Sequence, residues 1–306
     1  MEGKSVILIK FHHSFTDGGG MLNALTFLND VKHKPKDLYA SREIPFYMRL
    51  VTLLLSPYLL VLSLLQLYIK RWEGSDKIQT ADGANSGEST IHKSKVYNLN
   101  HLKACYKKYE GVTLNNYMMG IVSKSIHEWY VLNNVAEPKE IIATVPVVMK
   151  PFSPTIEKVD IDNCTAGITF SFKLKAELEE AIRVNKTEFE RFFNLPFLIH
   201  VITSLKLFMY LPTALGALLY HMCCKNIDLT LSNVSCSKEA MYLLDKKIAR
   251  LYGFLGVFCN CNLIVVLTSY NYELSFQITA DKKIQMDPAQ LLGLIQANLD
   301  SQIQVI

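Results

Sequence analysis

The residues with the clearest capacity for chemistry lie near the start of the sequence. In the segment FHHSFTDGGG, which spans residues 11–20, His12 and His13 are followed by Asp17 and Gly18. A neutral imidazole accepts a proton near neutral pH, and a carboxylate a few residues further on can fix the turn or the imidazole orientation. The glycines leave room for a substrate or a facing backbone to approach. The segment therefore predicts acid–base chemistry on a turn.

Three other interpretations of this segment stay open from the residues alone. Two histidines on a surface turn beside a solvated aspartate need no function. The glycines could hold a phosphate at a helix N-terminus, although neither G-x-G-x-x-G nor a following Lys-Ser/Thr pair is present. A metal held by His12, His13 and Asp17 is disfavoured, because adjacent side chains at a strand end point to opposite sides. No metal site is predicted.

The composition excludes several classes of protein. Of the 306 residues 50% are apolar and 20% are charged, so neither a disordered nor a collagen-like chain is expected. The net charge is +4 and the basic residues are spread along the chain, which disfavours a dedicated nucleic-acid-binding protein. The seven cysteines include no C-x-x-C pair and are expected to be reduced and mostly buried.

The elements around the histidines follow from local patterns. Residues 5–10 (SVILIK) predict a short buried strand and residues 21–30 (MLNALTFLND) an amphipathic helix, joined by a glycine-rich turn. Together they favour an α/β protein.

Residues 50–69 contain no charge, and as a helix they would be roughly 30 Å long, which matches the hydrocarbon core of a bilayer. A spanning helix, kinked at Pro57, is one interpretation of this segment. A helix on a membrane surface or against a lipid tunnel and a plain core helix are the others.

The rest of the chain predicts a connector followed by alternating helices and strands. Residues 77–94 are polar and indicate an exposed connector and a domain boundary. In residues 272–280 apolar and polar side chains alternate, which predicts a strand with one solvated face. The other predicted elements are helices at 98–110 and 112–129, strands at 141–148 and 167–172, two or three packed helices within 192–224, and a helix that Asp287 caps with Pro288 at its first position.

HHSFTDG resembles the HHxxxDG motif of the chloramphenicol acetyltransferase-like acyltransferases. The context narrows the resemblance to the wax ester synthase/diacylglycerol acyltransferase family, especially its plant-type branch. Further segments resemble family motifs in the same order, namely Val112–Met119 (VTLNNYMM), Thr144–Lys150 (TVPVVMK), Asp162–Gly167 (DNCTAG), Leu231–Val234 (LSNV) and Gly253–Asp281.

The resemblance implies a fold and a domain organisation. The expected fold is an α/β, two-subdomain sandwich of mixed sheets and helices with an incomplete N-terminal subdomain, because family members carry a long region before the motif and this sequence supplies about ten residues. The expected parts are residues 1–45 from the N-terminal subdomain, an apolar membrane-associated segment at 46–72, a flexible linker at 73–95 and a C-terminal subdomain at 96–306. Two departures from the family pattern are Asn115-Asn116 for Asn-Asp and Ser235-Cys236 for Pro-Gly.

The resemblance also implies an activity. It is the transfer of a fatty acyl group from acyl-CoA to diacylglycerol or a long-chain alcohol, without a cofactor beyond the co-substrate and without a covalent acyl-enzyme. His13 would be the general base, Asp17 would hold the loop, His12 would position the loop, and Gly18 would complete the motif. Asn115, Ser232 and Asn233 match motifs that flank the active-site channel and would donate hydrogen bonds to the developing oxyanion or to CoA.

The expected location is a membrane of the endoplasmic reticulum, the plasma membrane or a lipid-droplet surface, with the catalytic face in the cytoplasm. Two alternatives to this function stay open. One is a catalytically inactive, shortened homologue that binds lipid or membrane. The other is an acyltransferase of the same fold that uses a different acceptor.

Overall fold

The structure is a computed structural model. It describes residues 5–13, 15–30, 46–47, 50–51, 53–58, 61, 78, 86–138, 140–148, 163, 165–193, 201, 210–224, 227–257 and 261–305.

A mixed β-sheet organises the described residues. Its strands run in the order β1, β9, β8, β5, β3, β4, and β2 pairs with part of β9. The β3–β5 and β5–β8 pairs are parallel and the other pairs are antiparallel. The strands are β1 Ser89–Lys93, β2 Tyr97–Asn98, β3 Ile141–Val148, β4 Thr165–Phe172, β5 Leu229–Ser235, β8 Leu263–Tyr270 and β9 Glu273–Asp281, and a separate hairpin pairs β6 Tyr242–Leu243 with β7 Lys246–Lys247.

Most of the described helices begin at a residue whose side chain caps them. Asp17, Asn98, Thr113 and Asp287 each accept a hydrogen bond from a backbone N–H of the first turn. The helices are α1 Gly18–Leu28, α2 Leu99–Tyr106, α3 Leu114–Leu132, α4 Leu178–Phe192, α5 Thr213–Cys224 and α6 Pro288–Gln304. The predicted mixed α/β fold is confirmed, as are the helices α2, α3 and α6 and the strands β3 and β4.

The main hydrophobic core lies between one face of the sheet and the helices α2, α3, α4 and α6. Phe170 and Phe276 of the sheet are fully buried there, together with Ile121 of α3 and Ile295 of α6. The helices α3 and α4 approach closely at Gly120, where an added Cβ would lie 2.3 Å from Cγ1 of Ile182. This face holds most of the buried apolar surface.

The prediction of a solvated face on β9 is wrong. Gln277 and Thr279 are fully buried on the face opposite the main core. Leu255 and Val257 pack there against a smaller cluster that contains Ile264 of β8.

The polar side chains on this second face are joined by hydrogen bonds. The amide of Gly253 donates to Oγ1 of Thr268 at 3.2 Å, and Oγ1 of Thr268 lies 3.3 Å from the side-chain amide of Gln277. Gln277 of β9 is therefore hydrogen-bonded inside the protein and not solvated, whereas the buried hydroxyl of Thr279 has no hydrogen-bond partner among the described residues.

Three predictions in the N-terminal part are corrected. Residues 5–10 form no strand, and the side chains of Val6 and Leu8 are 76% and 82% exposed, because no described strand pairs with them. The helix α1 begins at Gly18 and not at Met21, because Asp17 provides its cap. Residues 89–93, predicted as the end of the linker, form β1 and pair with β9. The expected domain boundaries stay a prediction.

The described part of the apolar segment 50–69 is helical. Leu53, Leu54 and Tyr58 are exposed, whereas Ser56 is buried. Pro57 has no N–H to donate to the carbonyl of Leu53, and the hydroxyl of Ser56 donates to that carbonyl at 2.8 Å. Residues 62–69 lie outside the described residues. Within the described residues, no helix has the length and apolar character needed to cross a bilayer.

The cysteines agree with their prediction where they are described. Cys105, Cys224, Cys236 and Cys261 are buried thiols. Of the region 192–224, α5 forms one of the predicted helices, and residues 194–200 and 202–209 lie outside the described residues.

Candidate active site

Asp17 joins the histidine segment to the sheet. Its side chain is 2% exposed, and Oδ1 accepts the amide of Gly20 at 2.8 Å, which caps α1. Oδ2 accepts the hydroxyl of Thr165 at 2.7 Å, at the first residue of β4. Both carboxylate oxygens are thus used to fix the start of α1 against the start of β4.

The glycines after Asp17 let α1 approach two strand ends. A Cβ on Gly19 would lie 2.7 Å from Cγ1 of Val148, the last residue of β3. A Cβ on Gly18 would lie 3.9 Å from Cγ2 of Val234, near the end of β5. Since β3 and β5 are parallel, their carboxyl ends lie at one edge of the sheet, and α1 begins at that edge.

His13 lies on an exposed turn held by Asn163. The side-chain nitrogen Nδ2 of Asn163 is 2.9 Å from the carbonyl oxygen of His13 and 2.9 Å from its ring nitrogen Nδ1. His12 is also exposed, and its carbonyl accepts the amide of Phe15 at 2.9 Å, which closes the turn. The imidazole of His13 is therefore accessible and oriented from one side by Asn163.

The opposite end of α1 is fixed by the small hairpin. Oδ1 of Asn29 accepts the amide of Tyr242 at 2.7 Å, and the amide of Asp30 donates to the carbonyl of Tyr242 at 2.9 Å. The hydroxyl of Tyr270 accepts the amide of Met241 and donates to the carbonyl of Ile248, both at 2.8 Å. Burial raises the pKa of the Tyr270 hydroxyl, which keeps it protonated as the donor.

Ser232 and Asn233 lie on different faces of β5. Because side chains alternate along a strand, Ser232 shares the face of Val234, toward α1, and Asn233 shares the face of Leu231. Ser232 is half-buried and Asn233 is exposed. Of this predicted pair, only Ser232 is on the same face of the sheet as the histidine segment.

Asn115 lies in the helix layer on the other face of the sheet. It is the second residue of α3, whose first turn is fixed by a capping box between Thr113 and Asn116. Within the described residues no hydrogen bond joins His13 to Asn115, Ser232 or Asn233. The structure thus brings the histidine segment to the end of β3 and the start of β4, with Ser232 on the same face of the sheet and Asn115 in the layer on the other face.

The Ser235-Cys236 pair continues the strand geometry of β5. Ser235 pairs with Ser269 of β8, and the amide of Cys236 donates to the carbonyl of Ser269 at 2.8 Å. Cys236 packs with Leu22 of α1, and burial raises the pKa of its thiol to about 12. Neither residue has a positive φ, so this position requires no glycine.

Two residues around His13 were not singled out from the sequence. Asn163 falls in a segment that carries the family resemblance, but that resemblance gave it no role. Thr165 has no sequence signal, because its contact with Asp17 joins positions 148 residues apart. The described residues contain no group of three His, Cys, Asp or Glu side chains placed to hold a metal ion.

Comparison with known proteins finds a family model that matches part of the chain. Residues 173–302 match the family model described as the WS/DGAT C-terminal domain. Over these residues the chain is similar to the C-terminal domain of the WS/DGAT family. The match begins directly after β4 and ends within α6, so Asp17 and His13 lie outside the matched residues.

Solved structures support the fold of the wider chain. The wax ester synthase/diacylglycerol acyltransferase from Marinobacter aquaeolei VT8 aligns with a TM-score of 0.54 at 15% identity, over 96% of this chain and 65% of that chain. The TRI3 trichothecene 15-O-acetyltransferase from Fusarium sporotrichioides aligns with a TM-score of 0.56 at 10% identity, over 94% of this chain and 64% of that chain.

The condensation domain of the enacyloxin polyketide synthase also aligns, with a TM-score of 0.55 at 12% identity, over 96% of this chain and 57% of that chain. The chain thus has the chloramphenicol acetyltransferase-like fold and spans about two thirds or less of the length of these three structures. No curated protein sequence matches it.

Proposed function

We propose that this chain is an O-acyltransferase that moves a fatty acyl group from acyl-CoA to the hydroxyl of diacylglycerol or of a long-chain alcohol. The observation that carries the proposal is the accessible imidazole of His13, held by Asn163 directly before a helix that Asp17 caps. A WS/DGAT C-terminal domain in the same chain supports this class of reaction.

The proposed reaction needs one base and no covalent intermediate. An alcohol is a weak nucleophile at neutral pH, so Nε2 of His13 takes its proton as the oxygen attacks the thioester carbonyl. The C–S bond then breaks, and the imidazolium returns the proton to the CoA thiolate. The products are an ester and free CoA, and His13 is restored.

The other motif residues have supporting roles in the proposal. Asp17 holds the turn, because both of its oxygens are used by Gly20 and Thr165. Ser232 and Asn233 would donate hydrogen bonds to the oxyanion or to CoA, and the position of Ser232 on the α1 face supports this for Ser232. For Asn115 the role rests on the family resemblance alone.

The proposal includes attachment to a membrane or lipid-droplet surface. The apolar side chains of residues 6–9 and of the described helical residues 50–61 are mostly exposed, which suits an interface with lipid. We place the protein at the endoplasmic reticulum, the plasma membrane or a lipid droplet, with His13 on the cytoplasmic side. Carbonate extraction of a membrane fraction would release the chain if it lies on the surface and would leave it in the pellet if residues 50–69 span.

Expression in a host that makes no neutral lipid tests the reaction. The native chain is expected to produce triacylglycerol or wax esters when supplied with the acceptor, and His13→Ala is expected to produce none above background. His101→Ala is the matched control, since His101 is an exposed histidine on α2. Ester formation that persists in His13→Ala would show that the base is another group.

The exposure of His13 also supports a second candidate function, a lipid-binding homologue without turnover. Acyl transfer requires that water be kept from the reacting groups, and no described element covers the exposed side of His13. In the same assay, absence of esters with every acceptor, combined with binding of the chain to lipid vesicles, would favour this second function. A preference for small alcohols over long-chain acceptors would instead identify a different acceptor class.

A further inference from the structure

Among the described residues, the side chain of Asn163 makes two hydrogen bonds, both with His13. Its amide nitrogen is 2.9 Å from the carbonyl oxygen of His13 and 2.9 Å from the ring nitrogen Nδ1. An amide nitrogen carries two hydrogens, so both contacts can be hydrogen bonds at the same time. The two bonds fix the imidazole relative to its own backbone.

This arrangement determines where the imidazole proton lies. A neutral imidazole has one N–H and one lone pair on the other nitrogen. With the Asn163 nitrogen donating, Nδ1 of His13 must be the acceptor, and the proton is on Nε2. In this state neither ring nitrogen is free to take the proton of an alcohol.

A half-turn of the Asn163 amide reverses this assignment. The side-chain oxygen then faces Nδ1, which carries the proton and donates it, while the lone pair of Nε2 becomes free. The half-turn costs the hydrogen bond to the carbonyl of His13. After Nε2 has taken the alcohol proton, both ring nitrogens are donors, and only the oxygen-facing orientation gives Nδ1 an acceptor.

We infer that Asn163 is a positioning residue that sets the tautomer of His13, and that its amide turns so that its oxygen accepts from Nδ1 when His13 acts as the base. This inference rests on the proposed acyl transfer. In the resting protein, His13 is therefore hydrogen-bonded to Asn163, and its Nε2 carries a proton and cannot act as a base.

The described surroundings of Asn163 allow this motion and keep its backbone in place. The residue is exposed, and His13 is its only hydrogen-bond partner among the described residues. Two positions further on, Thr165 is bound to Asp17 and begins β4. The side chain can therefore turn while its backbone stays beside the histidine turn.

Nitrogen-15 spectra of the full chain labelled at histidine test the inference without any need for turnover. The His13 signals are assigned by their loss in His13→Gln. In the native chain Nδ1 is expected to be the unprotonated nitrogen. In Asn163→Asp the carboxylate only accepts, so Nδ1 is expected to be protonated. A native chain with Nδ1 already protonated, or an Asn163→Asp chain with the native pattern, would overturn the inference.

Asn163→Leu removes the amide group and nearly keeps the size of the side chain, since leucine is similar in size and has no polar group. It is expected to lower kcat about tenfold, whereas Asn163→Asp keeps at least a third of the native kcat and both leave the KM for acyl-CoA within about twofold. Asn100→Leu on the exposed side of α2 is the control for the substitution itself. A native kcat in Asn163→Leu would show that the amide has no part in the reaction.

The nitrogen-15 spectra and the activity measurements together distinguish a failure of this inference from a failure of the proposed function. If the native chain transfers no acyl group, the proposed function fails while the spectra still decide how Asn163 controls the tautomer. If esters form but the spectra of native protein and Asn163→Asp agree, the function stands and the role of Asn163 is wrong. Equal urea unfolding midpoints for all variants would show that neither result comes from a loss of folding.

Discussion

The two faces of the sheet are built on different principles. On one face the helices α2, α3, α4 and α6 bury a large continuous core. On the other face α1 and the residues around Leu255 cover the sheet with two smaller clusters, and residues 5–13 are exposed. The face with the chemistry is the one with less apolar packing, and there hydrogen bonds of Asp17, Asn29 and Asn163 fix the geometry. Packing sets the stability of the chain, whereas polar contacts set the position of His13.

Phe276→Ala is expected to have the largest effect on stability. Phe276 is fully buried in the main core and stacks with Tyr97 at a centroid distance of 6.2 Å. Removal of a buried phenyl ring costs about 3–5 kcal/mol of the free energy of unfolding. Urea unfolding measures this loss, and a change below about 1 kcal/mol would mean that the helix-covered face does not dominate stability.

Gly120→Ala is expected to have the next largest effect, in the same layer. The added methyl would lie 2.3 Å from Cγ1 and 3.1 Å from the backbone nitrogen of Ile182, so α3 and α4 must separate. Overpacking of this kind costs about 1–3 kcal/mol. Gly18→Ala is the control on the other face, because its nearest neighbour is 3.9 Å away. If both variants unfold at the same urea concentration, the difference in packing between the two faces is not real.

Asp17→Ala tests the polar fixation of α1. The change removes the cap at Gly20 and leaves the Thr165 hydroxyl without its carboxylate, at a cost of about 1–2 kcal/mol. Amide hydrogen exchange is expected to speed up at Gly20 and Met21 and to stay unchanged in α3. Thr165→Val separates the two bonds, since it breaks the link to β4 and keeps the cap. Unchanged exchange at Gly20 would contradict the capping role.

Leu8→Ser is expected to have the smallest effect on stability. The side chain is 82% exposed, so its loss removes no core contact and should change the free energy of unfolding by less than about 0.5 kcal/mol. Binding of the chain to lipid vesicles is the readout that should fall, because the proposed surface loses an apolar side chain. A large loss of stability would show that residues 5–10 are buried in solution.

The sequence predicts single elements well where the signal is local. Thr113, Asp287 and Asn98 cap helices at or within two residues of the predicted starts, because a capping side chain contacts a backbone N–H two or three residues away. The strand Ile141–Val148 has the predicted bounds, since its apolar run is typical of a buried strand.

The predictions that failed depended on which part of the chain packs against or pairs with a residue in the folded structure. Residues 5–10 have the composition of a buried strand but have no described partner strand, and a strand needs one for its backbone hydrogen bonds. The polar side chains of β9 look solvated in the sequence, yet Gln277 is covered by the segment that contains Gly253. Local periodicity predicts neither the lack of a described partner strand for residues 5–10 nor the covering of Gln277.

The sequence by itself determined the chemical groups of the candidate site, because they all lie within one short segment. These groups are His12, His13, Asp17 and the glycines that follow. Only the tertiary structure decided which other residues meet them. It brought Asn163 and Thr165 to the segment across about 150 positions and placed Asn115 in the layer on the other face of the sheet. The physical reason is that hydrogen bonds between distant residues depend on strand order and layer packing, which no local pattern encodes.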